Sequence, residues 1–249
     1  MIDLHCHILP GVDDGAESLE DAVAMCRLAA ADGCVAMVAT PHLRRDEWME
    51  LPRSEYCEIL AGLQRAVGAK PRLFLGGEIR VDSELPGALS AAGATTPTSL
   101  AGSRYLLLEF EPGGFGPEPL ALIEELRGEG WTPIVAHPEL TPFLAEEPGL
   151  LAALVEAGAL AQVTAMSVTG DFGKRPRQLA LEWIGDGLAH FLASDSHSPS
   201  WRPPGLARAH EEVARRWGIA VAQRVTLANP LAVVERRPIE TRESRAVGS

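Results

Sequence analysis

The sequence predicts an α/β fold in which parallel strands alternate with helices and close into a distorted seven-stranded barrel. Three observations predict it. Seven short, nearly continuous apolar runs recur along the 249 residues, as strands buried on both faces should. Helix signals fall between them, the pattern of parallel βα units. Most of the runs carry polar residues at or near their ends, and barrel sites gather at the C-terminal ends of strands. This last feature favours the barrel over an open doubly wound sheet.

The first run, MIDLHCH (1–7), places His5 and His7 two positions apart, so on a strand they share a face and Cys6 points the other way. The acidic pair Asp13–Asp14 follows. Ser18-Leu19-Glu20-Asp21 resembles a capping box and opens an Ala-rich helix stopping near Gly33. CVAMVATPH (34–42) is the second run and ends at His42; RLFLGGEIRV (72–81) is the third and carries Glu78. Segment 83–103, rich in Ser, Gly, Thr and Pro, reads as irregular. RYLLLEFE (104–111) carries Glu109 between Leu108 and Phe110, where an unpaired carboxylate would be costly to bury. A helix is expected over 116–129, then TPIVAHPE (132–139) with His137, and a helix over 148–158. LAQVTAMS (160–167) offers only Thr164 and Ser167 as ligand types. HFLASDSH (190–197) brings Asp195 and His197, and a helix over 205–218 stops at Gly218. No linker or low-complexity block interrupts this, so residues 1–235 read as one domain and 236–249 as a polar, disordered tail.

Composition excludes several classes. The net charge of −12 and the lack of a basic stripe argue against a nucleic-acid surface. No apolar run reaches the ~18 residues of a membrane span. The candidate site begins within the first seven residues, which is expected to leave no room for a cleaved leader. Cys6, Cys26, Cys34 and Cys57 show no CxxC pairing and read as reduced thiols of a cytoplasmic protein.

The constellation at the strand ends carries the chemistry. Five of the seven histidines sit there; His190 and His210 do not and read as structural or surface residues. Five imidazoles and at least three carboxylates exceed what one ion takes, so the inventory fits two or three metals with Glu78 or Asp195 as a bridge. Nitrogen and oxygen ligation without thiolate suits Mn²⁺, Fe²⁺ or Zn²⁺. Clustered divalent ions make hydroxide available near neutral pH and hold phosphoryl oxygens. Phosphate also needs positive charge. Arg202, in the loop after a ligand-bearing strand, is the preferred candidate; Arg45 and Arg80 read as solvated surface charges.

The HxH opening, the TPH, the GxE, the AHPE and the SDxH resemble, in that order, the motifs of the PHP (polymerase and histidinol phosphatase) superfamily. Within it, MIDLHCHILPGVDDGAES, RYLLLEFE, TPIVAHPE and ASDSHSPSWRPP are similar to the bacterial capsule-operon, manganese-dependent tyrosine-protein phosphatases, over residues 1 to about 232. The resemblance implies a distorted seven-stranded barrel of PHP type with a trinuclear metal site. It selects Asp14 over Asp13, and it implies the ligand set His5, His7, Asp14, His42, Glu78, Glu109, His137, Asp195 and His197. It further implies hydrolysis of protein phosphotyrosine in capsule or exopolysaccharide synthesis, with a polysaccharide-synthesis tyrosine kinase as a partner. Arg202 would stabilise charge, and His42 or His197 would be the proton donors, though both are better explained as ligands. One position departs from the pattern. The phosphate-binding arginine expected after AHPE is Leu140 here, and Arg44 or Arg45 is left to compensate. The competing readings are a phosphatase for histidinol phosphate or a sugar phosphate, and a catalytically weak metal-binding regulatory partner.

Overall fold

A computed structural model of the chain describes residues 1–92, 99–111, 113 and 118–239. Nine strands occur among the described residues: β1 (Ile2–Cys6), β2 (Ala36–Ala39), β3 (His42–Leu43), β4 (Arg72–Leu75), β5 (Glu78–Arg80), β6 (Tyr105–Glu109), β7 (Thr132–Ala136), β8 (Leu160–Thr164) and β9 (Phe191–Ala193). They form a three-stranded sheet, β1-β2-β4, and a six-stranded sheet, β3-β5-β6-β7-β8-β9. Every ladder is parallel.

All seven apolar runs are strands, but the expected count of seven is corrected. The second run splits into β2 and β3 and the third into β4 and β5. Pro41 has no N–H to donate, and the Gly76-Gly77 pair lacks side chains to hold a pleat. Hydrogen bonds from Gly76 N to the Ala39 carbonyl (2.8 Å) and from Glu78 N to the Pro41 carbonyl (3.1 Å) carry the pairing across the breaks. At the other side, Asp195 N donates to the His5 carbonyl and His7 N to the Ser196 carbonyl, both at 2.8 Å. Two sheets joined by these bonds therefore replace the single closed ladder expected. Asp3 reinforces the join: buried, it accepts from Ser194 N at 3.0 Å and from Ser194 Oγ at 2.5 Å.

The strands are largely apolar because most of their residues are buried on both faces. Along β6, Tyr105 and Leu107 join a cluster with Ile2, Leu4, Val38, Ile134 and Phe191. Leu106 and Leu108, on the opposite face, join a second cluster with Met25, Leu122 and Leu126, from the helices. Cys6 lies in this second cluster and donates to the Val38 carbonyl at 3.2 Å, away from the histidines. The four cysteines are unpaired, and burial pushes the Cys26 and Cys34 thiols up to about 12, so both stay protonated.

The helices follow their signals. Ser18 caps the helix Leu19–Ala31 by accepting from Asp21 N at 3.2 Å. The expected 116–129 helix is Pro119–Gly128; residues 116–117 lie outside the described ones. The helices Pro148–Glu156 and Ala207–Trp217 match expectation within two residues at each end. Segment 83–103 is corrected: Leu85–Ala92 is helical and Leu100–Gly102 is a 3₁₀ turn, with 93–98 outside the described residues. Helices over Arg53–Val67, Lys174–Asp186 and Asn229–Val234 lacked clear start signals. In the first of these, Tyr56 and Leu63 nonetheless repeat at seven residues, two turns of one face. The tail's first residues are held down: Arg236 Nε donates to the Ala101 carbonyl at 3.2 Å, and the Tyr105 hydroxyl to the Arg237 carbonyl at 2.9 Å. Residues 240–249 lie outside the described ones.

His190 and His210 stand apart from the strand ends, in structural positions. His210 Nδ1 meets Thr226 Oγ1 at 2.9 Å. His190 Nδ1 accepts from Ala161 N at 3.3 Å, which requires the neutral ring. Burial, aided by Arg224, pushes His190 down to about 4. Its folded value lies below its unfolded one of ~6.5. Its contribution is therefore present above ~6.5 and lost as pH falls towards about 4. His190→Asn, which keeps an acceptor and removes the titration, is expected to flatten the stability loss between pH 7 and 4.5 by about 2 kcal/mol in urea melts. Equal slopes for the two proteins would contradict this.

Candidate metal centre

The strand ends deliver the candidate ligands to one place. His5 is the penultimate residue of β1 and His7 follows the strand; His42 and Glu78 open β3 and β5 and are paired in register. Glu109 ends β6, and His137 follows β7. Asp195 and His197 follow β9. His137 (φ 30°) and Asp195 (φ 52°) both hold left-handed backbone conformations, which cost non-glycine residues free energy and concentrate at functional sites.

Glu78 is the centre of the arrangement. It is fully buried, and each of its oxygens faces two imidazoles. Oε1 lies 3.3 Å from His5 Nε2 and 2.9 Å from His137 Nε2. Oε2 lies 3.4 Å from His7 Nε2 and 2.9 Å from His42 Nδ1. Asp195 Oδ1 is 3.3 Å from His5 Nε2 and 3.6 Å from His7 Nε2. Asp14 Oδ1 is 3.3 Å from His42 Nε2 and 3.4 Å from His197 Nε2. Glu109 Oε2 lies 3.9 Å from His42 Nδ1. All nine candidate ligands thus lie in one cluster.

The cluster fits metal ions better than it fits hydrogen bonding. With each neutral ring donating from Nδ1, to Gln162 Oε1 and Asp13 Oδ2, His5 Nε2 and His7 Nε2 face each other at 3.2 Å as two acceptors with no proton between them. His42 Nδ1 and Glu78 Oε2 are both buried without a properly directed hydrogen-bond partner, although they are 2.9 Å apart. Atoms aimed past one another in this way point at a common third position. Ligands held at about 2.0–2.2 Å from one ion are themselves separated by roughly 3–3.6 Å, the spacing seen here. Four overlapping groups bring one ligand atom from each residue within 4.8 Å of the others: His5, His7 and Glu78; His5, His137 and Asp195; His42, Glu78 and Glu109; and His7, Asp14, His42 and His197. Glu78, His5, His7 and His42 each belong to two of them.

Electrostatics in the metal-free protein follow from this crowding. Burial works against the Glu78 carboxylate, but the imidazoles of His5, His137 and His42 hold it well below the usual carboxylate range. Asp14 and Asp195 are held below it too, against their own desolvation, by His197 and His42 and by His5, His7 and Arg202 respectively. His137 rises to about 9 despite burial because it faces Glu78.

A second layer orients the ligands. His5 Nδ1 meets Gln162 Oε1 at 2.9 Å, which turns Nε2 inwards. His7 Nδ1 meets Asp13 Oδ2 at 2.8 Å. Asp13 also accepts from Gly15 N (3.0 Å) and His42 N (3.1 Å). The acidic pair therefore divides its work: Asp14 faces the imidazole pair, and Asp13 holds His7. Gly15 is required for this loop, because a Cβ there would meet the His7 carbonyl oxygen at 2.1 Å. Asp13→Ala is expected to weaken divalent-ion affinity by about 10–100-fold, the usual effect of removing a partner of a ligating histidine. A chelator-competition titration measures it, and an affinity within threefold of the parent would show that His7 needs no such support.

The cluster opens into a cleft of about 230 Å³ lined also by Arg45, Phe110, Leu140, Thr141 and Arg202. Arg202 pairs with Asp195, and Arg45 pairs with Glu109. The reading of Arg45 as a solvated surface charge is thus corrected: its side chain is 19% exposed and turned into the cleft. Arg44 instead pairs with Asp82, and Arg80 with Glu111. Gln162 and Arg45 carry no sequence signal of these roles, since each depends on a contact more than 60 residues away. A roomier cavity of about 370 Å³, around Arg104, Thr132, Leu160 and His190, lies at the N-terminal ends of the strands, away from every candidate ligand.

Known proteins are similar to this chain in sequence and fold. A family model described as capsular polysaccharide synthesis, CpsB/CapC, matches residues 1–235. The chain is 35% identical over 207 residues to the putative tyrosine-protein phosphatase CapC of Staphylococcus aureus, covering 82% of this chain and 79% of that one. It is 34% identical over 204 residues to the tyrosine-protein phosphatase YwqE of Bacillus subtilis (strain 168), covering 81% and 79%. Among solved structures, one from work on YwqE from Bacillus subtilis and CpsB from Streptococcus pneumoniae, described as unique metal-dependent tyrosine phosphatases, superposes with a TM-score of 0.90 at 30% identity, over 96% of both chains. An organophosphorus hydrolase from Deinococcus radiodurans, 13% identical, shares the fold alone, with a TM-score of 0.60 over 94% of this chain and 92% of that one.

Proposed function

Because the chain belongs to the CpsB/CapC family of capsular polysaccharide synthesis proteins, we propose that it is a metal-dependent protein-tyrosine phosphatase acting in capsule or exopolysaccharide synthesis. The observation that carries the reading is Glu78, buried among four imidazoles with two of them within 3.4 Å of each oxygen. Its partners in the site are His5, His7, Asp14, His42, Glu109, His137, Asp195 and His197. Two or three divalent ions, manganese first among them, are the cofactors this donor set suits. When bound, such ions polarise phosphoryl oxygens and lower the pKa of water, the two things phosphomonoester hydrolysis needs. The two sheets are read as one distorted barrel of PHP type, interrupted at Pro41 and Gly76.

The chain's own groups supply the rest. Arg202 lines the cleft with its Nη2 paired to Asp195, and its Nη1 makes no hydrogen bond among the described residues, so a donor remains for a phosphoryl oxygen. Guanidinium suits phosphate because its N–H groups are fixed in a planar fork. His42 and His197 both face Asp14, and neither is left free as a dedicated proton donor. That suits an aryl ester, whose phenolate leaves with a pKa near ~10 and needs little protonation. The substrate is a phosphotyrosine protein, with a polysaccharide-synthesis tyrosine kinase as the partner of choice. Among the described residues no helix is long and apolar enough to cross a membrane. The unpaired, buried thiols suit the cytoplasm.

The test is phosphate release from a tyrosine-phosphorylated peptide by protein loaded with Mn²⁺, against an EDTA-treated control. Release that EDTA abolishes supports the reading. No release from protein shown to hold its metals overturns the phosphotyrosine assignment and leaves a small phosphomonoester as substrate. Leu140 bears on this choice, since it lines the cleft where a cation would aid phosphate binding. Leu140→Arg is expected to lower KM for the peptide by about tenfold, the value of one charge-assisted hydrogen bond. An unchanged KM would mean that the phosphate is already fully held by other residues.

A further inference from the structure

We propose that Arg45 is a second phosphate-binding guanidinium, sharing the cleft with Arg202 and held in place by Trp48. The proposal rests on the reading of this site as a phosphoesterase.

Two adjacent arginines leave the chain in different directions here. Arg44 takes a left-handed backbone conformation (φ 62°) and sends its guanidinium to Asp82, with contacts of 2.9 Å from Nε and 2.8 Å from Nη2. Arg45 turns into the cleft and pairs with Glu109 through Nε (3.1 Å) and Nη2. Its guanidinium carbon lies 5.6 Å from the centre of the Trp48 ring. Trp48 in turn stacks on the His42 imidazole, with centroids 5.1 Å apart and planes 11° from parallel. A cation over an aromatic face is attracted to it, so this stack fixes Arg45 beside the ligand cluster.

Arg45 and Arg202 are placed alike. Each clamps a carboxylate of the candidate ligand set, Glu109 and Asp195, and each lines the same cleft. Each also keeps donor capacity. The Glu109 contacts of Arg45 use Nε and Nη2, leaving Nη1 for another acceptor. In Arg202 the contact with Asp195 uses Nη2, leaving Nη1 without a hydrogen bond among the described residues. A dianionic phosphoryl group presents three terminal oxygens, enough to engage both guanidinium groups and the ions together. The neighbouring Leu140 contributes no charge to this lining, so its guanidinium groups are these two, among the described lining residues.

The test is a calorimetric titration of inorganic phosphate and of phenylphosphonate into metal-loaded parent, Arg45→Gln and Arg45→Lys proteins, with metal content measured on the same samples. We expect Arg45→Gln to weaken binding of both anions by about 10–100-fold at unchanged metal content. Arg45→Lys should recover part of the loss, as a charge without the planar fork. For any phosphoester the protein turns over, KM should rise more than kcat falls. Anion affinity within twofold of the parent overturns the proposal. So does a loss of metal that accounts for the whole effect, which would make Arg45 a positioning residue for Glu109. Failure of the parent to bind either anion sinks both this proposal and the phosphoesterase reading. A parent that binds phosphate but leaves phosphotyrosine intact removes only the substrate assignment.

Discussion

Glu78→Gln is expected to reduce phosphotyrosine hydrolysis on the order of 10³-fold or more while leaving the fold intact. The scale is that of losing transition-state charge stabilisation inside a desolvated site. The amide is close to the carboxylate in size, so the buried space is filled. What changes is the charge and one of the two acceptor oxygens. Oε1 now faces His5 and His137, and Oε2 faces His7 and His42. A glutamine offers one oxygen to one pair and an NH₂ group to the other, and an NH₂ cannot ligate a cation. The loss of activity should therefore be accompanied by the loss of at least one equivalent of metal. Circular dichroism checks the fold, elemental analysis the metal, and phosphate release the rate. A variant that keeps its metals and works within tenfold of the parent would remove Glu78 from the centre of the site.

Chelation is expected to cost the protein stability as well as activity. Ions that bind the folded chain alone stabilise it by about 4 kcal/mol at a concentration 1,000 times their Kd, and removing them forfeits this. The metal-free protein also carries a pH signature. His137 faces Glu78 and rises to about 9, above its unfolded value of ~6.5. Its contribution is fully present below ~6.5 and is lost as pH rises through about 9. A ligating imidazole must be neutral, so ion binding near pH 7 has to displace this proton. The metal-free form should accordingly lose stability from pH 6.5 to 9, and the apparent affinity for Mn²⁺ should increase over the same interval. Thermal melts with and without Mn²⁺ across this range measure both. Coincident melts at every pH would mean that the cluster holds no ion in the folded state.

Much of the fold is visible along the chain because parallel, doubly buried strands leave unbroken apolar runs. All seven runs are strands, and Ser18, Gly33 and Gly218 mark helix ends where expected. What escaped notice has local causes. Pro41 and Gly76-Gly77 interrupt two runs without changing their hydrophobicity, so nine strands look like seven. The helices Arg53–Val67 and Lys174–Asp186 begin without a side-chain cap, so no capping residue marks their starts.

The site divides in the same way. By itself the sequence determined the candidate ligands, since His, Asp and Glu at the ends of strands can be recognised one by one and the fold collects them. It also set the division between acidic neighbours only as far as resemblance could carry it, to Asp14. The tertiary structure alone decided how these groups relate: that Glu78 lies between four imidazoles, that Asp13 and Gln162 orient His7 and His5, that Leu140 lines the cleft, and that Arg45 enters it while Arg44 does not. The physical reason is range. A ligand's identity is written in its own side chain, whereas its orientation comes from partners brought close by folding, such as Glu109 for Arg45 and Gln162 for His5, 64 and 157 residues away.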